Sequence, residues 1–354
     1  MIDRAFWQGR RVLLTGHTGF KGTWLSLWLE QLGSQVFGLA LLPQTEPSMF
    51  AMLQPLARQV SLIGDIRDPA VVAAAVKEAR PSVVVHMAAQ PLVRRSFREP
   101  LETYGTNVMG TAHLLDALRD IPGLEAVLVV TTDKVYRNGD GRVSFTESDP
   151  LGGHDPYAAS KVATEFVVQS YAASYFAPRG VAIATARAGN VIGGGDWAED
   201  RLIPDLWRAV QAGKPLRLRN PRSTRPWQHV LEPLSGYLVY LERLARGERV
   251  PGALNFGPQP GEALTVAEVA EAMLAAIRSP HGWTPAASET PQPKETDFLA
   301  LDPALAGASI GWRPRLAPVQ ALQWTAEWYS AVAGGADARA LSVEQLHRYE
   351  ALAA

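Results

Sequence analysis

Tyr157 and Lys161 are the residues of this sequence best suited to acid–base chemistry. They stand four residues apart, which on a helix places the phenol and the ammonium on one face. A nearby cation stabilises a phenolate, so such a tyrosine can act as a base closer to neutral pH. On an exposed helix the same pair is usually inert, so its chemistry depends on the fold around it.

Thr132, Asp133 and Lys134 form a second reactive group, directly after an apolar run over 126–131 that predicts a buried strand. An acid and a base placed together can move protons on neighbouring carbon and oxygen atoms of one substrate. A lysine base has to be neutral when it acts, and desolvation or nearby cations favour that form. The alternative for Asp133 and Lys134 is a solvated ion pair in a loop.

A glycine-rich turn lies between the first predicted strand, 11–15, and the first predicted helix, 20–32. Glycines there permit a tight turn, close approach of the backbone to a pyrophosphate, and close packing of helix on strand. The N–H groups at the start of the helix then face the anion. This context favours a dinucleotide site over a plain loop before a helix. The candidate cofactor-binding residues of the turn are Gly16, Gly19, Phe20 and Gly22.

The sequence after the third predicted strand offers a carboxylate to the adenine end of such a cofactor. Asp65, followed by Ile66, could accept a hydrogen bond from the adenine amino group, or could cap the helix that begins near Pro69. The second predicted strand ends at 38–41 without the acid that usually binds the adenosine ribose hydroxyls. An arginine cluster for a 2′-phosphate is missing there as well. Together these features favour NAD over NADP.

Short apolar runs alternate with helical patterns, which predicts an α/β fold with a Rossmann-type, doubly wound parallel sheet. Further strands are predicted at 35–39, 60–64, 82–87, 126–131 and 181–186, and helices at 69–79, 100–119, 155–177, 265–277, 318–333 and 342–353. After Gly189 the sequence contains more Pro, Gly, Arg and Trp. We therefore predict an NAD-binding domain over 1–189. The remainder, 190–354, is predicted to form mainly a smaller, partly discontinuous substrate-binding lobe, with some segments returning to the first domain.

Arginines of this second lobe suit a substrate that carries a diphosphate, because a guanidinium binds phosphate oxygens through paired donors. The candidates are Arg201, Arg219 and Arg225. The alternative is a solvated basic loop on the surface.

The composition excludes several classes of function. Of 354 residues, 47% are hydrophobic and 19% charged, which is typical of a globular protein and not of a disordered one. The formal net charge of -1 excludes a pervasively basic nucleic-acid binder. The chain has no cysteine and no apolar run of membrane-spanning length. The absence of cysteine fits a reducing compartment, so we expect a cytoplasmic protein. The histidines lack metal-ligand spacing, so we expect no metal.

These motifs together resemble those of the extended short-chain dehydrogenase/reductases and, among them, the nucleotide-sugar 4,6-dehydratases. The resemblance covers nearly the whole chain. Its motifs are the glycine turn 16–22, Asp65–Arg67, His86–Gln90, Thr131–Tyr136, the Tyr157/Lys161 pair, 187–197 and 225–230.

The resemblance implies a role for each reactive residue. Thr132 matches the hydroxyl that orients the sugar 4-OH, Tyr157 the base that takes its proton, and Lys161 the partner of that base. Asp133 matches the acid that protonates the departing 6-hydroxyl. Lys134 stands where relatives acting on dTDP-glucose usually carry Glu, the base at C5. This replacement resembles the branch of the family that acts on CDP-glucose.

The resemblance also implies ligands and an assembly. NAD would be bound by the glycine turn, by Tyr157 and Lys161, and by the segment Ala88, Ala89 and Gln90. CDP-D-glucose would be the substrate, with Asn190 and Arg225 among its contacts. Helices near 103–119 and 157–176 would pair across a two-fold axis as the four-helix bundle of a homodimer. The product would enter deoxysugar biosynthesis, such as that of lipopolysaccharide O-antigen.

Other functions use part of the same residue set. A nucleotide-sugar 4-epimerase shares the glycine turn and the Tyr–Lys pair, but needs no acid and base at C5 and C6. A dehydratase acting on a dTDP or GDP sugar is a closer variant. A catalytically silent NAD-binding protein would have no need of Thr132, Tyr157 and Lys161 together.

Overall fold

The computed structural model describes residues 1–139, 144–286 and 298–352 of the chain. At its centre is a seven-stranded sheet in which every neighbouring pair of strands is parallel. Its strands are β1 (Arg11–Thr15), β2 (Gln35–Ala40), β3 (Gln59–Ile63), β4 (Val83–His86), β5 (Ala126–Val130), β7 (Ala182–Ala188) and β12 (Ala253–Phe256). Their order across the sheet is β12-β7-β5-β4-β1-β2-β3. The predicted doubly wound parallel sheet is therefore confirmed.

Within the described residues, eight shorter strands lie outside the central sheet and form four pairs. They are β6 (Ser144–Phe145), β8 (Val191–Ile192), β9 (Leu216–Leu218), β10 (Thr224–Arg225), β11 (Gln228–His229), β13 (Leu264–Thr265), β14 (Trp283–Pro285) and β15 (Ala300–Leu301). The pairs are β6 with β15, β8 with β11, β9 with β14, and β10 with β13. Most of them follow β7 in the chain, where the sequence predicts the smaller lobe.

Helices separate the strands of the sheet and cover the rest of the fold. The first seven are α1 (Arg4–Trp7), α2 (Phe20–Gln31), α3 (Met49–Leu53), α4 (Pro69–Ala79), α5 (Val93–Arg98), α6 (Pro100–Tyr104) and α7 (Gly110–Leu118). The others are α8 (Pro156–Tyr171), α9 (Leu202–Gln211), α10 (Leu231–Ala245), α11 (Val266–Ala276), α12 (Ala304–Ile310), α13 (Pro318–Ala333) and α14 (Ala338–Ala351). No helix within the described ranges is both long and apolar enough to cross a bilayer.

Local capping explains where the helices near the cavity begin. The Asp155 carboxylate accepts a hydrogen bond from the Ala158 N–H at 2.9 Å, and Pro156 follows as the first residue of α8. Asp68 caps α4 in the same way, accepting from the Ala70 N–H at 2.8 Å. α8 therefore starts one residue before Tyr157, and its first turn presents the phenol.

Several predicted helices differ in their bounds from the structure. The helix predicted at 100–119 consists of α6, a π-helical turn over Gly105–Met109, and α7. The helix predicted to 177 passes from α8 into a π-helical turn over Ala172–Phe176. α14 begins four residues earlier than predicted, because Asp337 caps it by accepting from the Ala340 N–H at 2.7 Å. Its predicted end, residue 353, lies outside the described residues.

The main apolar core lies between the sheet and α2, α10, α11 and α13. Of the tryptophans with apolar helical spacing, Trp24, Trp28 and Trp207 are buried in this core, and Trp324 packs against it. β12, which comes from beyond residue 189, forms an edge of the central sheet beside β7. The division of the chain into domains at residue 189 stays a prediction.

Candidate active site

One large cavity of about 2170 Å³ opens where β1, β2, β3, β4, β5 and β7 end. Parallel strands bring their carboxyl ends to the same edge of a sheet, and ligands of doubly wound folds bind there. Every residue that the sequence nominates for catalysis, cofactor or substrate lines this one cavity. A typical pocket for one small ligand is roughly 300–1,000 Å³. The cavity is therefore large enough for two ligands side by side.

The glycine turn forms one wall of the cavity, at the end of β1. Gly16 has φ +80, and a Cβ at this position would lie 2.8 Å from the Ala88 nitrogen. A Cβ on Gly22 would lie 2.0 Å from the Gly16 oxygen. Gly19 precedes α2 without a side-chain cap, which leaves the N–H groups of the first helical turn to an anion. The turn fits the pyrophosphate of a dinucleotide.

Two buried histidines, neither of which lines the cavity, support this wall. His86 is buried on β4, with Nδ1 2.6 Å from the Thr15 hydroxyl and Nε2 2.9 Å from the Thr111 hydroxyl. His17 Nε2 lies 2.7 Å from the Ser61 hydroxyl, and its ring fills the space where a Cβ on Gly38 would stand. Burial lowers the pKa of His17 to about 4 and that of His86 to about 3, so both are neutral near pH 7.

The adenosine end of the cavity contains Asp65 in an ion pair. Arg67 donates to Asp65 through Nε at 2.8 Å and Nη2 at 2.6 Å, and this hydrogen bonding lowers the pKa of the carboxyl. Capping of α4 belongs to Asp68, so Asp65 is not the helix cap. Leu41 and Leu42 line the cavity just beyond β2. These apolar side chains occupy the place where a ribose-binding acid is usually found.

Tyr157 and Lys161 lie one above the other on α8, and both side chains are buried. Lys161 donates from Nζ to the Val130 carbonyl at 3.3 Å. Burial lowers the pKa of Lys161 to about 8, while the Glu165 carboxylate raises it. For Tyr157 burial outweighs a hydrogen bond with Thr132 and raises the pKa to about 12. The prediction of a lowered tyrosine pKa from the spacing is thus wrong, because burial dominates at this position.

Thr132, Asp133 and Lys134 come together at the end of β5. The Thr132 hydroxyl donates to Asp133 Oδ1 at 3.0 Å and accepts from the Lys134 N–H at 3.3 Å. Lys134 Nζ lies 3.9 Å from the same carboxylate oxygen. Asp133 is 2% exposed, and its Oδ2 has no partner in the protein. The alternative of a solvated ion pair is therefore wrong for the carboxylate, whereas the ammonium is part-exposed.

Lys21 is a cavity residue that the sequence analysis missed. It lies in the first turn of α2 and donates from Nζ to the Tyr237 hydroxyl at 3.3 Å. Loss of solvent, followed by repulsion from Lys161 and Arg201, lowers its pKa to about 7. Lys21 lies within the glycine-rich motif, and this position is the sequence signal that could have identified it as a cavity residue.

The predicted arginines reach the cavity with carboxylate partners. Arg201 pairs with Asp196 at 3.0 Å. Arg219 pairs at 2.9 Å with Asp200, and Arg94, which the sequence analysis did not nominate, pairs with the same oxygen at 2.8 Å. A diphosphate bound here would compete with these carboxylates for the guanidinium groups.

The two remaining substrate candidates, Arg225 and Asn190, also line the cavity. Arg225 is buried on β10 and donates to the Thr224 carbonyl at 2.9 Å. Asn190 follows β7, and its carbonyl accepts from the Gln228 N–H at 3.0 Å.

Across the described ranges, no group of three or more His, Cys, Asp and Glu side chains is arranged to hold a metal ion.

A parallel sheet with a glycine turn after β1 and a Tyr–Lys pair on α8 in one cavity defines a nicotinamide-dependent enzyme of the short-chain dehydrogenase/reductase type. The chain belongs to the NAD dependent epimerase/dehydratase family, whose model matches residues 12–257.

Among curated relatives, the chain is 44% identical to the CDP-glucose 4,6-dehydratase of Salmonella typhimurium over 99% of this chain and 98% of that protein. It is 30% identical to a dTDP-glucose 4,6-dehydratase of Xanthomonas campestris, covering 90% of this chain and 92% of the relative. Among solved structures, a dTDP-glucose 4,6-dehydratase from Streptomyces venezuelae with NAD bound superposes with a TM-score of 0.75 at 26% identity. That superposition covers 92% of this chain and 98% of the other.

Proposed function

We propose that this enzyme converts CDP-D-glucose to CDP-4-keto-6-deoxy-D-glucose and water, with transient transfer of a hydride to bound NAD. The observation that carries the proposal is the meeting of Thr132, Asp133 and Lys134 with Tyr157 and Lys161 in one cavity. The nucleotide is supported by the 44% identity to a CDP-glucose 4,6-dehydratase along the whole chain.

The first step is oxidation at C4 of the glucose. Tyr157 removes the proton of the 4-hydroxyl, and Thr132, which contacts Tyr157, orients that hydroxyl. The positive charge of Lys161 stabilises the phenolate. Bound NAD would supply the hydride acceptor for C4 and the hydride donor for C6. The glycine turn would hold its pyrophosphate, because Gly16 and Gly22 leave no room for side chains.

The second step is loss of water across C5 and C6. The 4-ketone acidifies the C5 hydrogen, and Lys134, or a water beside it, removes that proton. Asp133 protonates the departing 6-hydroxyl, which leaves as water. Two observations support this role: Asp133 lines the cavity, and its Oδ2 has no hydrogen-bond partner in the protein. When hydride reaches C6, C5 regains a proton, so the cycle involves no net oxidation.

The diphosphate of the substrate is bound by arginines of the second lobe. Arg201, Arg219 and Arg225 supply the guanidinium donors, and Asn190 supplies an amide contact. Asp196 and Asp200 hold two of these arginines before substrate enters. We expect the enzyme in the cytoplasm, where NAD and sugar nucleotides are available to it.

A nucleotide-sugar 4-epimerase is the nearest competing function. A UDP-glucose 4-epimerase of Erwinia amylovora is 27% identical over 90% of this chain. Epimerisation requires no acid at the 6-hydroxyl and no base at C5. The burial of Asp133 beside Lys134 therefore favours dehydration.

We further propose a homodimer. α6 and the π-helical turns over Gly105–Met109 and Ala172–Phe176 all contact α8, and together these elements leave large apolar side chains in solvent. These are Leu101, Tyr104, Met109, Phe166 and Tyr175. Burying such a face against a second copy removes it from water. A dimer mass in solution at micromolar concentration is expected, and a monomer mass would contradict the dimer.

The role of Lys134 is tested by Lys134→Ala. We expect hydride transfer to continue while water loss slows by roughly 10²–10⁴-fold, the usual contribution of a general base. Lys214→Ala, which removes an exposed lysine outside the cavity, is the matched control. Full dehydration by Lys134→Ala would contradict the proposed role of this lysine.

A further inference from the structure

Glu165 continues the row of Tyr157 and Lys161 along one face of α8, one turn beyond the lysine. Its side chain is completely buried. The carboxylate accepts from the Thr131 hydroxyl at 2.6 Å and from the Thr185 hydroxyl at 2.8 Å. Arg187 adds a forked pair, donating from Nε and Nη2 at 2.9 Å each. A buried carboxylate with this many donors is held in one position.

The partners of Glu165 come from the segments that deliver the reactive residues. Thr131 directly precedes Thr132, at the end of β5. Arg187 is the penultimate residue of β7, which leads to Gly189 and Asn190 in the cavity wall. The Glu165 carboxylate on α8 is therefore hydrogen-bonded to the ends of both β5 and β7.

The same network extends through Tyr136 to β12. Arg187 also donates from Nη1 to the Tyr136 hydroxyl at 2.9 Å. That hydroxyl donates in turn to the Asn255 side-chain carbonyl, on β12, at 2.7 Å. The guanidinium is thus committed to the fold and is not available to a substrate phosphate.

Glu165 also has an electrostatic effect on Lys161. Burial penalises the ammonium, and the negative charge of Glu165 opposes that penalty. The other charged and titratable groups around the two residues are Lys21 on α2, His86 on β4, Asp133 after β5, Arg187 on β7 and Tyr240 on α10. Arg187 is a cation, the pKa of Lys21 is lowered to about 7, and the Glu165 charge raises the pKa of Lys161, so Glu165 supplies the negative charge behind Lys161.

We propose that Glu165 is a positioning residue for Tyr157 and Lys161: its carboxylate fixes α8 against the ends of β5 and β7 and provides the counter-charge behind the Lys161 ammonium. This inference rests on the proposed hydride transfer, in which Lys161 has to be charged. Glu165 itself touches neither cofactor nor substrate, because its oxygens are occupied by protein donors in the interior.

The test is Glu165→Gln, which keeps the shape and removes the charge. Hydride transfer from CDP-D-glucose to NAD is followed in single turnovers across pH by the absorbance of reduced nicotinamide. Without the counter-charge, Lys161 loses its proton at lower pH, so the alkaline limb of the profile moves down by about one pH unit. Glu232→Gln, at a buried carboxylate outside the cavity, is the matched control and keeps the wild-type profile.

A purely structural role predicts a different result. Glu165→Gln would then lower thermal stability and leave the alkaline limb where it is in the wild type, which overturns the proposal. If Glu165→Gln alone does not fold, the double variant Glu165→Gln/Arg187→Met removes the charge without leaving an unpaired guanidinium. A smaller downward shift is expected for the double variant, because the Arg187 cation is removed together with the Glu165 anion, and an unshifted limb refutes the inference.

A titration of isotopically labelled lysine side chains by NMR measures the Lys161 pKa without any substrate. A lower pKa in Glu165→Gln than in the wild type supports the counter-charge, and an equal pKa contradicts it. Absence of hydride transfer in the wild type would count against the proposed function alone, because this titration reports on Glu165 independently.

Discussion

Replacing Asp133 by Asn separates the two halves of the proposed reaction. The change is isosteric, and Asn keeps an oxygen that can accept from the Thr132 hydroxyl, now at 3.0 Å from Oδ1. The other oxygen, Oδ2, has no protein partner to lose. We therefore expect a stability change within about 1 kcal/mol. The variant loses the proton donor for the 6-hydroxyl. We therefore expect water loss to slow by roughly 10²–10⁴-fold, which corresponds to about 3–5 kcal/mol of barrier.

The assay follows both halves in one experiment. In a single turnover with CDP-D-glucose, reduced nicotinamide should form in Asp133→Asn at close to the wild-type rate and then persist, because the elimination step is slow. Mass spectrometry should show a 4-keto sugar that retains its 6-hydroxyl. Asp116→Asn, at an exposed carboxylate of α7, is the control and should behave as the wild type. Water loss by Asp133→Asn within a few-fold of the wild-type rate would refute the assignment of this acid.

Four further outcomes follow from the structure. Because the Lys161 pKa is about 8, kcat/KM for hydride transfer should fall about tenfold per pH unit above that value; a level profile there would contradict the need for a charged lysine. Gly16→Ala should weaken NAD binding at least roughly tenfold in calorimetry. The control Gly180→Ala, at a glycine with φ +70 and open space around it, should leave the affinity unchanged. Equal affinities of the two variants would exclude a close approach of the Gly16 backbone to the NAD pyrophosphate. Burial raises the Glu232 pKa from 4.5 to about 7, so the carboxyl ionises first in the unfolded chain and the free energy of unfolding falls as pH rises through this window. Glu232→Gln should remove about 3 kcal/mol of that fall in urea titrations at several pH values, and parallel curves for the two proteins would contradict it. Phe166→Lys should give a monomer in sedimentation, while Val319→Lys on α13 keeps the dimer; a dimeric Phe166→Lys would place the interface elsewhere.

The parts of the site that sequence predicts correctly are those set by local spacing. The Tyr157/Lys161 row needs only a helix that begins at Asp155 and Pro156, and both signals are adjacent in the chain. The glycine turn likewise needs only β1 before it and α2 after it. Such features follow from backbone geometry over a few residues.

The features that sequence misses depend on distant contacts. Lys21 bonds to Tyr237, a residue 216 positions away, and nothing in the glycine turn reveals that partner. The raised pKa of Tyr157 comes from burial, which helical spacing does not show. Arg219 meets Asp200 only because the chain after β8 returns to the cavity. Long-range packing therefore determines the electrostatics of the site.

Two missed helices illustrate the same limit in the fold. α10 contains Pro233 and Gly236, residue types that disfavour the interior of a helix, so its sequence does not read as one continuous helix. α9 has a clear apolar face, but Arg201 precedes it without a side-chain cap, so the usual start signal is absent.

The most direct test of the proposed function is a substrate panel. The purified protein is incubated with NAD and one sugar nucleotide at a time: CDP-glucose, dTDP-glucose, UDP-glucose or GDP-mannose. The mass of each product is then measured by mass spectrometry. We predict loss of one water from CDP-glucose alone, with a 4-keto product. A sugar of unchanged mass with inverted C4, or no change in any sugar despite bound NAD, would contradict dehydration.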